Sequence, residues 1–364
     1  FAHDPTDLLK ENARFELTPE EIQLLNPNTG TCPVFRTRRD AEITLGIYRR
    51  VPVLINENDP VNGNPWGITF MRMFDMSNDS HLFYTREELE ADGWTLNGNV
   101  FERPLDSGGG VTQMLPLYEA KMIHLYDTRW ATYEPDGSTR RITEDEKAAH
   151  LNPMPRYWVA EAEVDRKLAG RWDKAWFLGW RDICRATDVR TVITTQVPRL
   201  AYGHKWLLAT ASSGRAELQT SWSAFVFDYV ARQKLGGTSM TYTTFKQLPM
   251  PNPEQLGSMP FLLDRPLDSW IEFRVDRLNG WIADPVERAQ VRAELDALMF
   301  HIYGLNRTEM SYVLDTFPIV KRNDEKEFGM YRTKELILAA FDAMSDAQAT
   351  GNVYRSPWSE EVTA

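Results

Sequence analysis

Five residues in a short central stretch of the sequence have side chains suited to reading a nucleic acid. Arg181, Arg185, Thr187, Arg190 and Thr191 lie within eleven positions of one another. An arginine can donate two parallel hydrogen bonds to a guanine edge, while a threonine can donate to a phosphate or contact a thymine methyl group. The stretch therefore predicts contacts to DNA. The alternative is that Arg181 pairs with the acid that follows it, which is worth little at a surface.

Eight further residues are candidates for contacts to a phosphate backbone, because they are basic or hydroxyl side chains in or beside predicted loops. The glycines at 236–237 would let backbone N–H groups approach a phosphate closely, although they fit an ordinary helix C-cap equally well. The basic cluster at 36–39 faces either DNA or another domain, and the sequence leaves both open. The eight candidates are Lys121, His204, Lys205, Lys234, Thr238, Arg36, Arg38 and Arg39.

A metal-dependent nuclease is a second interpretation of one of these positions. Glu119 and Lys121 are spaced as in the Glu-x-Lys part of a nuclease motif, and Asp106 lies upstream where a partner acid would be needed. Two carboxylates would supply the oxygen ligands that Mg²⁺ prefers. Matches of three residues arise often by chance. The alternative is a surface turn next to a strand, with Lys121 available to a phosphate.

Other kinds of site find little support in the sequence. None of the six histidines is paired with another at metal-ligand spacing, and the two cysteines, Cys32 and Cys184, are far apart. A zinc site and a disulfide scaffold are therefore not expected, and the cysteine content is typical of the reducing cytoplasm. No run of about eighteen apolar residues is present, so no membrane span or membrane partner is expected.

The charge of the chain is distributed unevenly. The net charge is −11, which by itself argues against a nucleic-acid ligand. The stretch from Arg156 to Lys246, however, holds fourteen basic and eight acidic residues, a net charge of +6. A basic middle inside an acidic chain predicts a localised surface for a polyanion.

The elements that must position these residues are predicted from periodicity and from capping residues. The β-branched run from Thr191 to Val197 ends at a proline and predicts a strand. Trp172, Trp176 and Trp180 are spaced at four, which favours an apolar stripe on a buried helix. Predicted helices begin at Thr18-Pro19 and cover Arg38–Arg50, Leu218–Val230 with an end near Gly236, Pro285–Tyr303, Arg307–Asp315 and Arg332–Met344.

Five segments, in order along the chain, resemble one protein family. They are LNPNTGTCPVFRTRRDAE (25–42), LPLYEAKMIH (115–124), WRDICRATDVRT (180–191), the run from Ser223 to Thr238 with its continuation to Pro249, and the run from Tyr303 to Pro318. The family comprises single-polypeptide adenine-specific DNA methyltransferases of restriction–modification and phage-defence systems. In these enzymes a catalytic domain precedes a TaqI-like target-recognition domain. The family often has glycine at the position of Ala120.

The resemblance implies that the parent protein methylates an adenine amine in double-stranded DNA with S-adenosylmethionine. A Gly-rich turn for that cofactor and an Asn/Asp-Pro-Pro-aromatic tetrapeptide for the flipped adenine are both required, and neither occurs in this sequence. We therefore expect no cofactor, no metal and no catalytic residue in this chain. Since it opens at Phe1, we expect it to be a fragment whose partners are double-stranded DNA and a preceding methyltransferase domain.

The combined expectation is an α+β fold of mixed strands and flanking helices in four segments. These are a junction after the absent catalytic domain (1–58), a loop-rich connector (59–113), a DNA target-recognition domain (114–253) and a helical C-terminal domain (254–364). Besides the nuclease, a third interpretation is a protein-interaction scaffold whose acidic surface contacts partner subunits of a defence complex.

Overall fold

The computed structural model describes residues 6, 16–105, 110–258 and 262–358. Within these ranges the chain forms an α+β fold, as predicted. Its helices are α1 Pro19–Leu25, α2 Arg38–Arg50, α3 Arg86–Ala91, α4 Glu144–Ala148, α5 Glu161–Leu168, α6 Arg215–Ser223, α7 Phe225–Lys234, α8 Tyr242–Lys246, α9 Pro253–Gly257, α10 Leu267–Asn279, α11 Pro285–Ile302, α12 Arg307–Asp315, α13 Pro318–Phe328 and α14 Arg332–Thr350.

The strands form three sheets. They are β1 Thr69–Met71, β2 Thr95–Asn97, β3 Val100–Pro104, β4 Val111–Tyr118, β5 Ala131–Tyr133, β6 Thr139–Arg141, β7 Trp158–Ala160, β8 Trp176–Arg181, β9 Thr194–Pro198, β10 Ala201–Tyr202 and β11 Trp206–Thr210. One sheet has the antiparallel order β1-β11-β8-β9, and a second has the order β10-β4-β3-β2 with β7 also on β4. Strands β5 and β6 form a small hairpin.

The sheet that contains β8 separates two hydrophobic cores. Leu178 and Trp180 point into the larger core, whereas Phe177 points into the smaller one. Strand β11 alternates in the same way, with Leu207 in the larger core and Leu208 in the smaller. Both faces are therefore apolar, which explains why these strands are nearly continuous hydrophobic runs.

The prediction of a helix with a stripe of tryptophans is wrong. Trp176 and Trp180 both belong to the strand β8, and Trp172 precedes it. A spacing of four is an even number, so it also places two side chains on the same face of a strand. The segment forms a strand and not a helix because β8 pairs with β9 and β11 on its two edges.

The segment 59–113 contributes strands and not only loops. Strand β1 extends the sheet of β11, while β2 and β3 pair in turn and join β4. Within the glycine-rich stretch, residues 106–109, which include Asp106, lie outside the described residues. The segment predicted as a loop-rich connector is therefore an integral part of two sheets.

Most of the predicted helices are present. Helices α1, α2, α11, α12 and α14 match the predicted positions, and the predicted strand appears as β9, three residues later than expected. The helix predicted over 218–230 is instead two helices that meet at Ala224, whose ψ of 150° is extended. The break is held by Asp296, whose carboxylate accepts a hydrogen bond from the Phe225 N–H at 2.7 Å.

The larger core joins all four predicted segments. It contains Ile47, Trp66, Trp222 and Leu298, one from each segment. The buried Tyr303 hydroxyl further ties α11 to Pro249, donating to its carbonyl oxygen at 2.8 Å. The four predicted segments therefore share one hydrophobic core. Among the described helices, none has the length and apolar character needed to cross a bilayer.

Candidate nucleic-acid interface

The parallel pairing of β4 with β10 brings two candidate loops together. Tyr118 and Tyr202 are the last residues of these strands and are register partners. Because the strands run in the same direction, the segments that follow them leave the sheet at the same end. Lys121 lies in a single 3₁₀ turn, Ala120–Met122, after β4, and the Gly203–Lys205 turn follows β10.

The antiparallel pairing of β8 with β11 adds a third candidate residue. Arg181 ends β8 and is the register partner of Trp206, the first residue of β11. Lys205 therefore lies beside the end of β8, where its Nζ donates to the Asp182 carboxylate at 2.9 Å. The Asp182 N–H in turn donates to the carbonyl oxygen of Lys205 at 2.9 Å.

These segments enclose a cleft of about 410 Å³. Its wall has four cationic side chains and a single carboxylate, that of Glu119. Lys121 and Lys205 are half exposed, with side-chain accessibilities of 49% and 47%, and Arg156 is exposed as well. The lining residues are Met76, Leu117, Glu119, Ala120, Lys121, Arg156, Tyr157, Arg181, Ile183, Gly203, His204 and Lys205.

Arg181 is fixed in orientation at the base of the cleft. One of its terminal nitrogens donates to the carbonyl oxygens of Ala120 at 3.1 Å and Ile123 at 2.7 Å. Its Nε is buried and has no hydrogen-bond partner in the part of the chain that the structure describes. Burial lowers the pKa of the Arg181 guanidinium. The side chain is therefore anchored on one edge and retains unused hydrogen-bonding capacity on another.

His204 also has a polar atom without a hydrogen-bond partner. Its Nδ1 is buried and is unpaired among the described residues. Buried polar atoms in folded proteins are nearly always paired with protein or with water. Arg181 and His204 therefore place two such atoms beside one cleft.

Glu119 and Lys121 are held by a tyrosine of the neighbouring hairpin. The Tyr133 hydroxyl donates to the Glu119 carboxylate, and the Lys121 ammonium lies 4.4 Å from the centre of the Tyr133 ring. Burial and the adjacent Glu119 raise the pKa of Tyr133. The partner acid of the nuclease interpretation, Asp106, lies outside the described residues. In the described ranges no group of three His, Cys, Asp or Glu could hold a metal ion.

Two of the five central candidates lie in the core instead of at the surface. Arg190 is 8% exposed, and its Nε donates to the Asp228 carboxylate at 2.7 Å. Thr191 is fully buried, and its N–H donates to the same carboxylate at 3.0 Å. Neither side chain is accessible to a duplex in this structure. The Arg190 guanidinium bonds to Asp228 of α7, and the Thr191 hydroxyl donates to the carbonyl oxygen of Arg185 at 3.0 Å.

The exposed part of the same stretch is a short loop. Arg185 and Thr187 are both exposed, and the Arg185 N–H donates to the Asp188 carboxylate at 2.8 Å. Arg232 of α7 holds this loop from below, donating to the carbonyl oxygens of Asp188 at 2.7 Å and Val189 at 3.1 Å. The buried arginines thus support the loop that presents the exposed one.

Lys234 is also internal, contrary to its assignment as a phosphate contact. Its Nζ donates to the carbonyl oxygen of Leu25 and, at 2.7 Å, to Oδ1 of Asn26, and it lies 4.6 Å from the centre of the Tyr48 ring. Burial lowers the pKa of Lys234 well below its ordinary value. Thr238 is exposed, but its carbonyl oxygen accepts from the Cys184 N–H at 3.1 Å.

The three arginines at 36–39 are exposed but contact different neighbours. Arg36 lines a depression next to Lys234 and the 236–237 glycines. Arg38 lines a separate groove formed by α1 and α2, and the Arg39 guanidinium lies 5.0 Å from the ring centre of Tyr312. They do not form the compact cluster that the sequence indicated, and none of them lines the cleft.

The basic surplus of the central stretch is largely neutralised locally. Eight of its fourteen cations form ion pairs with carboxylates of the described chain. They are Arg166, Lys167, Arg190, Arg199, Lys205, Arg215, Arg232 and Lys246. The stretch therefore does not form one continuous basic surface. Two of its remaining cations, Arg156 and Arg181, line the cleft beside Lys121 and the ion-paired Lys205.

Several residues that line the cleft were not predicted, among them Arg156, Met76 and Ile183. Arg156 lies just before β7, and the exposed apolar side chains of Met76 and Ile183 lie on the wall. Ile183 is adjacent to candidate residues in the sequence, whereas nothing in the sequence connects Met76 to them.

No known protein family and no curated protein sequence matches the chain.

Proposed function

We propose that this chain binds double-stranded DNA through the cleft and acts as the target-recognition part of an adenine-specific DNA methyltransferase. One observation carries the proposal: four residues predicted from separate parts of the sequence, Lys121, Arg181, His204 and Lys205, line the same cleft. Arg156 is the fourth cation of a wall that has one carboxylate. The resemblance of the five sequence segments supplies the reaction of the parent enzyme.

The side chains of the cleft divide into two roles. Lys121, Arg156 and Lys205 are exposed, which suits contacts to phosphates. Arg181 is anchored by two carbonyl oxygens, so it can present its remaining donors in a fixed direction, as base reading requires. His204 would add a second hydrogen-bonding group beside it.

The apolar side chains beside the cations fit the same ligand. Met76 is 39% exposed and Ile183 is 47% exposed. Large apolar side chains exposed beside a polyanion site can contact thymine methyl groups and base edges. Phosphate contacts alone carry no sequence information, so the apolar pair and Arg181 are the part of the cleft that would discriminate between sequences.

The proposed division of labour places S-adenosylmethionine and methyl transfer in another domain of the parent protein. The chain supplies the duplex contacts. The exposed loop that carries Arg185 and Thr187 follows β8 in the sequence, as Ile183 does. The proposal also places the protein in the cytoplasm, where bacterial DNA is found and where the two free cysteines, Cys32 and Cys184, stay reduced.

The test is fluorescence anisotropy with a labelled duplex at several salt concentrations. We expect Lys121→Ala combined with Arg156→Ala to weaken binding at least tenfold. Loss of two phosphate contacts should also make the slope of log K against log salt shallower by about 1.8. The matched control is Arg322→Ala with Lys326→Ala, which removes the same charge from exposed positions of α13.

Two results would contradict the proposal. One is equal weakening by the cleft and control pairs, which would mean that only net charge matters. The other is the absence of any duplex binding by the wild-type chain at low salt, which together with capture of a protein partner would favour the scaffold interpretation. The nuclease interpretation makes a different prediction, namely Mg²⁺-dependent cleavage of the duplex that is lost in Glu119→Ala.

A further inference from the structure

A second cavity, of about 350 Å³, lies between the helical region and the 124–126 turn. Its wall is built from the junction of α6 and α7, from α11, and from the beginning of α14. It shares no lining residue with the DNA cleft. A ligand in this cavity is therefore separate from the proposed function.

The cavity contains a partly buried arginine, Arg292, that forms no close ion pair with a carboxylate of the described residues. One terminal nitrogen of Arg292 donates to the carbonyl oxygen of Leu125 at 3.1 Å, and its guanidinium lies 5.6 Å from the Tyr126 ring centre. The Nε of Arg292 is buried and has no hydrogen-bond partner among the described residues. A buried charge in this situation is costly unless a partner is supplied.

The other charged groups of the wall are already committed. Arg190 pairs with Asp228, and Arg288 donates to Glu144 at 2.8 Å. The one carboxyl group on the wall belongs to Asp296, and it accepts a hydrogen bond from the Phe225 N–H. The wall thus carries three arginines against this single carboxyl group. The cavity therefore has a local surplus of positive charge.

The rest of the cavity is mainly apolar. Leu125, Phe225, Leu336 and Ile337 supply aliphatic and aromatic surface. The hydroxyl oxygen of Thr220 also lines it and is buried with no hydrogen-bond partner. A concave site of this size, apolar with a few convergent polar groups, is typical of small-molecule binding sites.

We propose that this cavity binds a small organic anion, with the carboxylate or phosphate on Arg292 and an apolar body against Phe225 and Leu336. The anionic group would supply a counter-charge for the Arg292 guanidinium. An arginine can accommodate either anion with two hydrogen bonds, so the carboxylate and phosphate sources share one chemistry.

Thermal unfolding of the full chain with four probes tests the proposal. Benzoate and phenyl phosphate carry the anion on an apolar ring, benzamide is a neutral analogue, and inorganic phosphate lacks the apolar body. We expect saturable increases in Tm with benzoate, phenyl phosphate or both, and none with benzamide. Whichever ring anion gives the larger increase in Tm identifies the preferred anionic group. Inorganic phosphate should bind much more weakly than either.

Two variants test whether the ring anion binds in this cavity. Arg292→Met removes the charge at similar volume and should weaken the ring anion at least tenfold by calorimetry. The ligand-free Arg292→Met protein should melt no lower than wild type, because an unpaired buried charge is replaced by an apolar side chain. Ala289→Leu keeps the charge but fills part of the cavity, and it should also weaken binding.

Arg322→Met is the matched control at an exposed position and should leave binding unchanged. The proposal is overturned if neither ring anion stabilises the wild-type chain, or if benzamide acts equally well. It is also overturned if Arg292→Met and Ala289→Leu bind the anion as wild type does. If Arg292→Met fails to fold, the Ala289→Leu measurement decides alone.

Discussion

At the scale of single residues, the decisive distinction is between cations that support the site and cations that can contact a ligand. Arg190 and Arg232 converge on the fully buried Asp228, with Arg232 Nε donating to it at 3.1 Å. Both also stack on phenylalanines, with Arg232 3.9 Å from the ring centre of Phe317. Removing Asp228 would leave two buried guanidinium groups without a counter-charge. In the proposed interface, Arg190 and Arg232 would act only through the loop that they hold.

The clearest pH effect at this scale belongs to Asp296. Burial raises its pKa from 3.8 to about 6 in the folded protein. Between these values the unfolded chain has released the proton while the folded protein still holds it. The free energy of unfolding therefore decreases as pH rises through this window, by about 3 kcal/mol in total. Above this pH window the contribution of Asp296 to the free energy of unfolding is completely lost.

Asp296→Asn should remove this contribution. Its side-chain oxygen can still accept from the Phe225 N–H, so we expect the variant to be more stable than wild type at pH 7 and similar at low pH. Urea unfolding at a series of pH values measures this, with the exposed Asp346→Asn as control. An unchanged pH dependence in Asp296→Asn would show that this carboxyl group is not the source.

At the scale of elements, close strand pairing determines where the ends of β8 and β11 lie. Gly179 in β8 faces β11, and a Cβ there would be 2.8 Å from the carbonyl oxygen of Leu207 and closer still to Trp206 Nε1. Arg181 follows two residues later. The absence of a side chain at this position therefore permits the pairing that sets Arg181 beside Lys205.

Gly179→Ala should consequently affect both stability and DNA binding. We expect a loss of about 1–3 kcal/mol in the free energy of unfolding, typical of overpacking a filled core. DNA affinity should decrease as well, since the ends of both strands must shift. Gly236→Ala is the control, because nothing lies within 4 Å of its added Cβ. Denaturant unfolding and duplex anisotropy report the two effects, and equal behaviour of both variants would contradict this role.

At the scale of the whole molecule, the helical region and the sheets share one core. Ser221 and Tyr303 form a buried hydrogen bond at 2.7 Å across the predicted boundary at 253, and α10 and α11 both contact α6. The second cavity also lies where these regions meet. The segments predicted as separate domains therefore contribute to one hydrophobic core within the described residues.

Truncation after residue 253 should accordingly prevent normal folding. The side chains of Trp222, Phe225 and Val226 would lose the helices that cover them, exposing a large apolar surface. We expect the truncated chain to lack a cooperative thermal transition by near-UV circular dichroism and to bind a hydrophobic dye. A sharp transition near that of the full chain would instead establish 254–364 as an independent domain.

The sequence by itself determined the features that depend on local physics. Helix α11 begins at Pro285 after an Asp284 cap, α12 begins after Asn306, and β9 ends at its proline, as capping and periodicity require. The α+β class follows from these elements together. The residue types suited to DNA contacts could also be named, because their chemistry does not depend on position in space.

Only the tertiary structure decided which of those residues share a site. The parallel pairing of β4 with β10 joins loops more than eighty residues apart, and no local pattern encodes that partnership. Burial also separated Arg190 and Lys234, inside the protein, from Lys121 and Lys205, at the surface. Charge can be read from a sequence, but the carboxylate or solvent that surrounds each charge is fixed by contacts between distant segments.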